Sequence, residues 1–149
     1  MTPVTQTKVN VQNSKGETVV YGNCFAAVIA SIMEVPINEV PNVEVFFHIN
    51  DITWIQVMDM WLKSKGWEHS GDDRYKCFHR DIDAEMDIET ANNYMMLKDN
   101  YYFVVGKSPR GINHVCIYQN GVMVWDPHPT KEGLVTVEYF ESLERIKEN

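Results

Sequence analysis

Three residue types that together can form an activated nucleophile occur at informative places in this chain. Cys24 opens an apolar segment of helical period, His114 opens a β-prone run, and Asp126 closes the next such run. A cysteine at a helix N-terminus is favoured as a thiolate by the helix dipole. An imidazole can exchange a proton with that thiol, and a carboxylate can orient the imidazole. The set predicts nucleophilic acyl transfer through a thioester, with His114 as general base and acid.

The position of His114 relative to Asp126 depends on the turn that joins their two strands. Asn120-Gly121 between β-prone runs is the strongest short-range signal for a hairpin. If residues 119–121 form a three-residue loop with a bulge, His114 lies directly opposite Asp126 on one face of the sheet. A two-residue turn would instead place Val115 opposite Asp126 and turn His114 to the other face. The triad hypothesis therefore depends on the bulged, three-residue turn.

The elements that must position these residues come as helices first and strands afterwards. Apolar residues from Trp54 to Leu62 follow the helical 3, 4, 7, 8 spacing, and Gly66 ends that helix. The order predicts an α+β domain, with N-terminal helices packed on a C-terminal antiparallel sheet. Helices are predicted at 24–33, 51–65 and 86–98, a short turn at 38–41, strands at 101–105, 114–118, 122–126 and 134–137, and irregular chain at 67–85.

Composition limits the classes of protein that this chain can represent. Its 149 residues suit a single domain, 1–149. The net charge of −8 disfavours non-specific nucleic-acid binding. No apolar run approaches the roughly 18 residues of a membrane-spanning helix, and residues 1–8 do not resemble a signal peptide. Three cysteines without framework spacing indicate reduced thiols, so we expect a cytoplasmic protein with neither nucleic-acid nor membrane partners.

Stabilising the oxyanion of an acyl transfer requires hydrogen-bond donors. The backbone N–H of Cys24 is one expected donor, and a side-chain amide upstream is the other. Gln6 and Gln12 are both candidates, and their spacing does not choose between them. The polar residues nearest to the predicted triad are candidates for binding substrate; they are Asn23, Arg110 and Asn113.

Two further groups have chemically suitable residues but weaker patterns. Cys77 and His79, with Asp81 and Asp83, are of metal-ligating types, but a zinc site normally presents two spaced ligand pairs, and no second pair is evident. We therefore expect neither a metal nor another cofactor. Cys116 shares a strand face with His114, and we expect it to pack in the sheet.

Three short blocks resemble the catalytic blocks of papain-like cysteine peptidases. The blocks are Gly22-Asn-Cys-Phe-Ala-Ala27, His114-Val-Cys-Ile-Tyr118 and Val124-Trp-Asp-Pro127. They are most similar to the bacteriocin-leader peptidase branch, in which a Cys opens a helix, a His opens a strand, and Asp-Pro ends the next. The chain also resembles small papain-like proteins encoded by bacteriophages; the shared motifs are Gln6-Thr7, Gly22-Asn23-Cys24, Val40-Pro41, Ser108-Pro-Arg-Gly111 and Asp126-Pro-His-Pro129.

The resemblance implies a papain-like fold and a cysteine-dependent hydrolase acting as a peptidase, isopeptidase, amidase or deamidase. It favours Gln6 over Gln12 as the oxyanion donor, and it implies a protein or peptide substrate, such as a host protein in the cytoplasm of an infected bacterium. The chain departs from the leader peptidases at the nucleophile, where Asn23-Cys24-Phe25 replaces Asp-Cys-Gly. Its candidate glutamines also lie farther from the cysteine.

Two other functions are compatible with the same sequence. The first alternative is a catalytically inactive papain-like binding module or inhibitor that acts on a host protein or a small ligand. The second is a cell-wall amidase, which the lack of any wall-binding segment disfavours. An ordinary thiol at Cys24, or His114 out of its reach, would favour the binding module.

Overall fold

A computed structural model describes residues 1–20, 22–42, 51–70, 86–87 and 101–146. Its antiparallel strand pairs and two α-helices agree with the predicted α+β class. The elements in chain order are β1 (Val11–Gln12), β2 (Thr18–Val20), α1 (Cys24–Met33), a 3₁₀ turn (Ile37–Glu39), α2 (Asp51–Ser64), β3 (Trp67–Ser70), β4 (Met86–Asp87), β5 (Tyr102–Lys107), β6 (Asn113–Gln119), β7 (Val122–Trp125), β8 (Thr136–Val137) and β9 (Tyr139–Arg145).

The chain divides into two compact units. The first comprises Met1–Glu68, Pro127–Pro129 and Arg145–Asn149, and the second comprises His69–Asp126 and Thr130–Glu144. The first unit combines segments that are far apart in sequence. The assignment of one domain to 1–149 stays a prediction.

Both helices of the first unit lie where the sequence predicts them. Helix α1 begins at Cys24, and nearly all of its side chains are buried. It ends at Glu34, which adopts a left-handed conformation with φ 60° shortly before Pro36. In α2, Met58 and Leu62 are fully buried, as the apolar spacing predicts.

The second unit contains most of a five-stranded sheet with the order β3-β9-β5-β6-β7. Strand β6 pairs antiparallel with β5 on one side and with β7 on the other. Residues 114–118 of this inner strand are all buried, so both of its faces are covered. The buried cluster on the face that includes Cys116 consists of Tyr102, Val104, Cys116, Tyr118, Leu134 and Val137.

Gly106 allows β5 to pass close to the backbone of β8. It pairs with His114 in the β5–β6 register. A Cβ at this position would collide with the carbonyl oxygen of Thr136. The neighbouring N–H of Val135 donates to the carbonyl of Lys107 at 2.7 Å. Glycine is therefore required here by close backbone approach.

Several predicted elements differ from those in the structure. Residues 67–70 form β3 instead of irregular chain, and Met86–Asp87 form β4 instead of starting a helix. The remaining parts of these predictions, 71–85 and 88–98, lie outside the described residues. Strand β5 continues to Lys107, past the predicted end at 105, and β8 covers only 136–137 of the predicted strand 134–137. Strand β9 was not predicted, although it pairs with the inner strand β5.

Within the described segments, no helix combines the length and the apolar character that crossing a membrane requires.

Candidate active site

The turn between β6 and β7 has two residues, so the three-residue bulged turn on which the triad hypothesis depended does not form. Gln119 pairs directly with Val122. The two residues between them, Asn120 and Gly121, both have positive φ, 54° and 78°. This is the backbone expected of a type I′ hairpin turn, whose twist matches that of the flanking strands. With a regular ladder, this turn would have placed His114 on the wrong face for Asp126.

A β-bulge in β7 restores the relationship that the turn alone would lose. Tyr118 pairs with Met123, but Ile117 pairs with Trp125, so Val124 is an extra residue on β7. Because side chains alternate faces along a strand, one extra residue moves every later side chain to the opposite face. Asp126 consequently comes to the face of β6 that carries His114.

His114 and Asp126 form a buried hydrogen-bonded pair. Nε2 of His114 lies 2.6 Å from Oδ1 of Asp126, and the two side chains are 4% and 0% exposed. When Asp126 is ionised its carboxylate only accepts hydrogen bonds, and Nε2–H is then the donor in this contact. The predicted proximity of the two residues is therefore confirmed, through a different backbone route from the predicted one.

Two residues that sequence reasoning missed hold Asp126 in place. The N–H of Gly133 donates to Oδ2 of Asp126 at 2.7 Å, so both carboxylate oxygens have partners. Nζ of Lys131 donates to the carbonyl of Asp126 at 2.8 Å and lies 3.7 Å from the centre of the Trp125 ring. The short Lys-Glu-Gly segment after Asp126 signals a turn. Nothing in its residue types indicates that the N–H of Gly133 points back to the carboxylate.

Arg110 links the loop before β6 to the segment after Asp126. Its Nη1 donates to Oγ1 of Thr130 at 3.0 Å and lies 3.3 Å from Oε1 of Glu132. The described contacts of Arg110 are thus structural. Asn113 is exposed at the start of β6. Substrate binding by either residue stays a prediction.

Cys116 lies on the same face as the His114–Asp126 pair. One ligand atom from each of these three residues lies within 4.8 Å of the other two. Cys116 is fully buried, as expected for a residue packed in the sheet. Burial also raises the pKa of the neighbouring Tyr118 well above its usual value, and nearby Cys116 adds to the effect.

Cys24 is the first residue of α1 in the first unit, as predicted, and its side chain is half-buried. The first turn of α1 contains no acidic residue, so no carboxylate opposes the positive end of the helix dipole there. Asn23 occupies the N-cap position, but its side chain makes no capping bond to the helix.

The side chain of Asn23 instead binds the N-terminal segment to the start of α1. Its Oδ1 accepts the N–H groups of Thr7 and Lys8 at 3.0 and 2.8 Å, and its Nδ2 donates to Oγ1 of Thr7 at 2.7 Å. These contacts are structural, and the substrate-binding role assigned to Asn23 stays a prediction. The Gln6-Thr7 and Gly22-Asn23-Cys24 motifs, distant in sequence, are thereby joined.

The two candidate glutamines have different surroundings. Gln6 is buried, and its Nε2 donates to the carbonyl of Lys8 at 2.7 Å; the same carbonyl accepts the backbone N–H of Asn23 at 3.2 Å. The Oε1 atom of Gln6 is buried without a hydrogen-bond partner. Gln12 lies exposed on the β1–β2 ribbon. Of the two, only Gln6 is connected through these bonds to the residue that precedes Cys24.

The described contacts thus bring the predicted site residues together in two groups. His114 and Asp126 meet in the second unit, and Gln6 is joined to the start of α1 at Cys24 in the first. The pairing of Cys24 with His114 stays a prediction. No known protein family, curated protein or solved structure matches the chain. The papain-like resemblance therefore rests on the short motifs alone.

Proposed function

We propose that this chain is a cysteine-dependent hydrolase of papain-like fold that cleaves a peptide, isopeptide or side-chain amide bond. Cys24 is the nucleophile, His114 is the base and acid, and Asp126 orients the imidazole. The observation that carries the proposal is the buried hydrogen bond of 2.6 Å between His114 and Asp126. Since the second oxygen of Asp126 is held by Gly133, the carboxylate can hold the imidazole in one orientation.

The atoms used in that hydrogen bond suit an imidazole that exchanges protons. With Nε2–H donated to Asp126, the neutral tautomer of His114 carries its lone pair on Nδ1. In the proposed site, Nδ1 accepts the proton of the Cys24 thiol. The charged imidazolium that results is stabilised by the carboxylate of Asp126.

The surroundings of Cys24 support its role as the nucleophile. A thiol at the N-terminus of a ten-residue helix is favoured as a thiolate by the helix dipole. Gln6 and the backbone N–H of Asn23 share the carbonyl of Lys8 as acceptor. An amide nitrogen carries two hydrogens, so Gln6 can keep this bond and still donate to an oxyanion.

The proposed reaction proceeds through a covalent thioester and needs no cofactor. The Cys24 thiolate forms a bond to the substrate carbonyl carbon, and the charge moves to the carbonyl oxygen. Collapse of this intermediate breaks the carbon–nitrogen bond, and His114 gives its proton to the leaving amine. Water, deprotonated by His114, then attacks the thioester to release the acid and the Cys24 thiol. The proposed substrate is a protein or peptide met in the cytoplasm.

One observation favours the alternative of a catalytically inactive binding module. His114 is only 4% exposed, which limits access to its ring. Under this alternative the His114–Asp126 pair stabilises the fold, and Cys24 has the reactivity of an ordinary thiol.

The deciding experiment is the pH dependence of iodoacetamide alkylation at Cys24, with the modified site assigned by mass spectrometry. The chain with His114→Ala is compared with the unmodified chain and with His69→Ala, which removes a histidine outside the proposed triad. We expect the Cys24 thiolate to titrate well below the free value of about 8.5. His114→Ala should move that titration upward, and His69→Ala should leave it in place.

The opposite result is equally informative. Circular dichroism first confirms that the His114→Ala chain is folded. If Cys24 then reacts as a free thiol or does not react, and His114→Ala leaves its reactivity unchanged, the hydrolase proposal is wrong. The binding module then becomes the better account.

A further inference from the structure

One cluster of metal-ligating side chains in the described segments includes a thiol, Cys116, that the proposed reaction does not use. His114, Cys116 and Asp126 supply an imidazole nitrogen, a thiol sulfur and a carboxylate oxygen, all within 4.8 Å of one another. This cluster is separate from Cys77 and His79, whose residue types also suggested metal ligands in the sequence. His114 and Cys116 are two apart on one face of β6, and the Val124 bulge brings Asp126 to that face.

We infer that these three residues form a site for a single thiophilic divalent cation of the zinc class. Nitrogen, sulfur and carboxylate oxygen are the three ligand types that Zn²⁺ binds in proteins, and three protein ligands leave a fourth position for water or a ligand. Mg²⁺ and Ca²⁺ prefer oxygen donors alone, so the set discriminates against them.

The donor atoms lie close enough for tetrahedral coordination once the His114–Asp126 hydrogen bond opens. Zinc–ligand bonds of 2.0 to 2.3 Å put neighbouring donors roughly 3.3–3.6 Å apart. The separations here range from the 2.6 Å between His114 and Asp126 up to a limit of 4.8 Å. Binding therefore requires the His114–Asp126 hydrogen bond to open as the ion enters between its two atoms.

The charge balance permits an ion in this buried place. All three side chains are buried, and an isolated buried charge would be costly. On binding, the thiol of Cys116 loses its proton to solvent, and His114 binds as the neutral imidazole. The thiolate and the carboxylate then neutralise the two positive charges of the ion. The N–H of Gly133 on Oδ2 of Asp126 supplies the outer-shell contact that orients a ligating carboxylate.

One consequence concerns the same site and rests on the proposed function. An ion on Nε2 of His114 leaves the proton of the neutral ring on Nδ1, so the Nδ1 lone pair required for the thioester reaction is lost. The metal is therefore expected to inhibit the hydrolase, with the metal-bound state as its inactive form.

Cobalt titration tests the site without any activity assay, because a thiolate bound to Co²⁺ gives charge-transfer absorption in the near ultraviolet. The chain contains three cysteines, so Cys24→Ser with Cys77→Ser leaves Cys116 as its sole thiol. We expect this double variant to bind one Co²⁺ per chain, to show the thiolate band with four-coordinate visible bands, and to release Co²⁺ to Zn²⁺ but not to Mg²⁺. Samples are incubated to constant absorbance because the donors are buried.

The control variants decide which residues bind the ion. Adding His114→Ala or Asp126→Ala to the double variant should weaken Co²⁺ binding at least tenfold. If the folded double variant shows no thiolate band, or if the band follows Cys24 or Cys77 in single variants, the inference is overturned. Because alkylation of Cys24 is read separately in metal-free buffer, failure of the metal site and failure of the hydrolase proposal are distinguishable.

Discussion

Asp126 accepts hydrogen bonds at both carboxylate oxygens, one from the His114 ring and one from the Gly133 backbone. The pair is buried, so neither His114 nor the N–H of Gly133 can readily turn to water if the carboxylate is lost. A buried donor left without its acceptor costs about 1–3 kcal/mol. The carboxylate therefore contributes to stability, whichever function the chain has.

We expect Asp126→Ala to lower the free energy of unfolding by about 2–4 kcal/mol, because two buried donors lose their acceptor. Urea denaturation followed by circular dichroism measures this change. Glu17→Ala, on the exposed β1–β2 turn, is the matched loss of an acidic side chain, and it should change stability by less than about 0.5 kcal/mol. Equal effects of the two substitutions would contradict the structural role of Asp126.

Gly133→Ala tests the backbone that reaches Asp126. Gly133 has φ 74°, and an added Cβ would lie 3.2 Å from Sδ of Met123. Gly111 has nearly the same φ, 77°, with open space around its added Cβ. Both alanine variants have the cost of a left-handed backbone, about 1 kcal/mol or more. Only Gly133→Ala adds crowding, which we expect to cost about 1 kcal/mol further in thermal or urea unfolding.

Equal losses in the two glycine variants would mean that Met123 moves aside freely. In that case the loop around Gly133 does not hold Asp126 through tight packing.

Asn23→Ala should release the N-terminal segment from the start of α1. It removes the acceptor of the Thr7 and Lys8 N–H groups, with an expected cost of about 2 kcal/mol. Hydrogen exchange at these two amides should become faster. Thr7→Val is the graded control, because it removes only the partner of Nδ2 and leaves both N–H bonds intact. Unchanged exchange at Thr7 and Lys8 in Asn23→Ala would contradict the assigned contacts.

We expect the buried Tyr118 to make the chain less stable at alkaline pH. Burial raises the pKa of Tyr118 above its ordinary value of 10.0, so the folded chain keeps a proton that the unfolded chain loses. Where the unfolded state binds fewer protons, the free energy of unfolding falls as pH rises. The contribution of Tyr118 to the free energy of unfolding is therefore fully present below pH 10.0 and declines above it.

Tyr118→Phe removes this group, so its stability relative to the unmodified chain should improve as pH increases past about 10. Urea unfolding of both chains at neutral pH and at several alkaline values measures the difference. A difference that stays constant with pH would show that Tyr118 does not titrate differently on folding.

The sequence predicted what depends on local periodicity and on side chains with strong local preferences. The apolar spacing of α1 and α2 and the Asn120-Gly121 hairpin signal were sufficient for those elements. The bulge at Val124 was not predictable, because valine has no preference for that position and the extra residue is defined only by its partner strand. Strand β9, with its mixed charged and apolar residues, becomes a strand through pairing with β5.

The candidate site was also predictable only in part. His114 and Asp126 were predicted from residue type and strand position. The N–H of Gly133 was missed because a backbone donor leaves no mark on the choice of side chain. Oxyanion candidates Gln6 and Gln12 were equivalent by residue type and spacing. In the structure Gln6 is buried and bonded to Lys8, whereas Gln12 is exposed.

The extra residue in β7 also affects how one copy of this chain meets another. Strand β7 ends the sheet, and its outer edge pairs with no other described strand. An exposed edge with valines at 122 and 124 invites strand addition and aggregation. A bulge interrupts the regular row of donors and acceptors that an incoming strand would need. The irregularity that brings Asp126 to His114 thus also makes this edge a poor template for self-association.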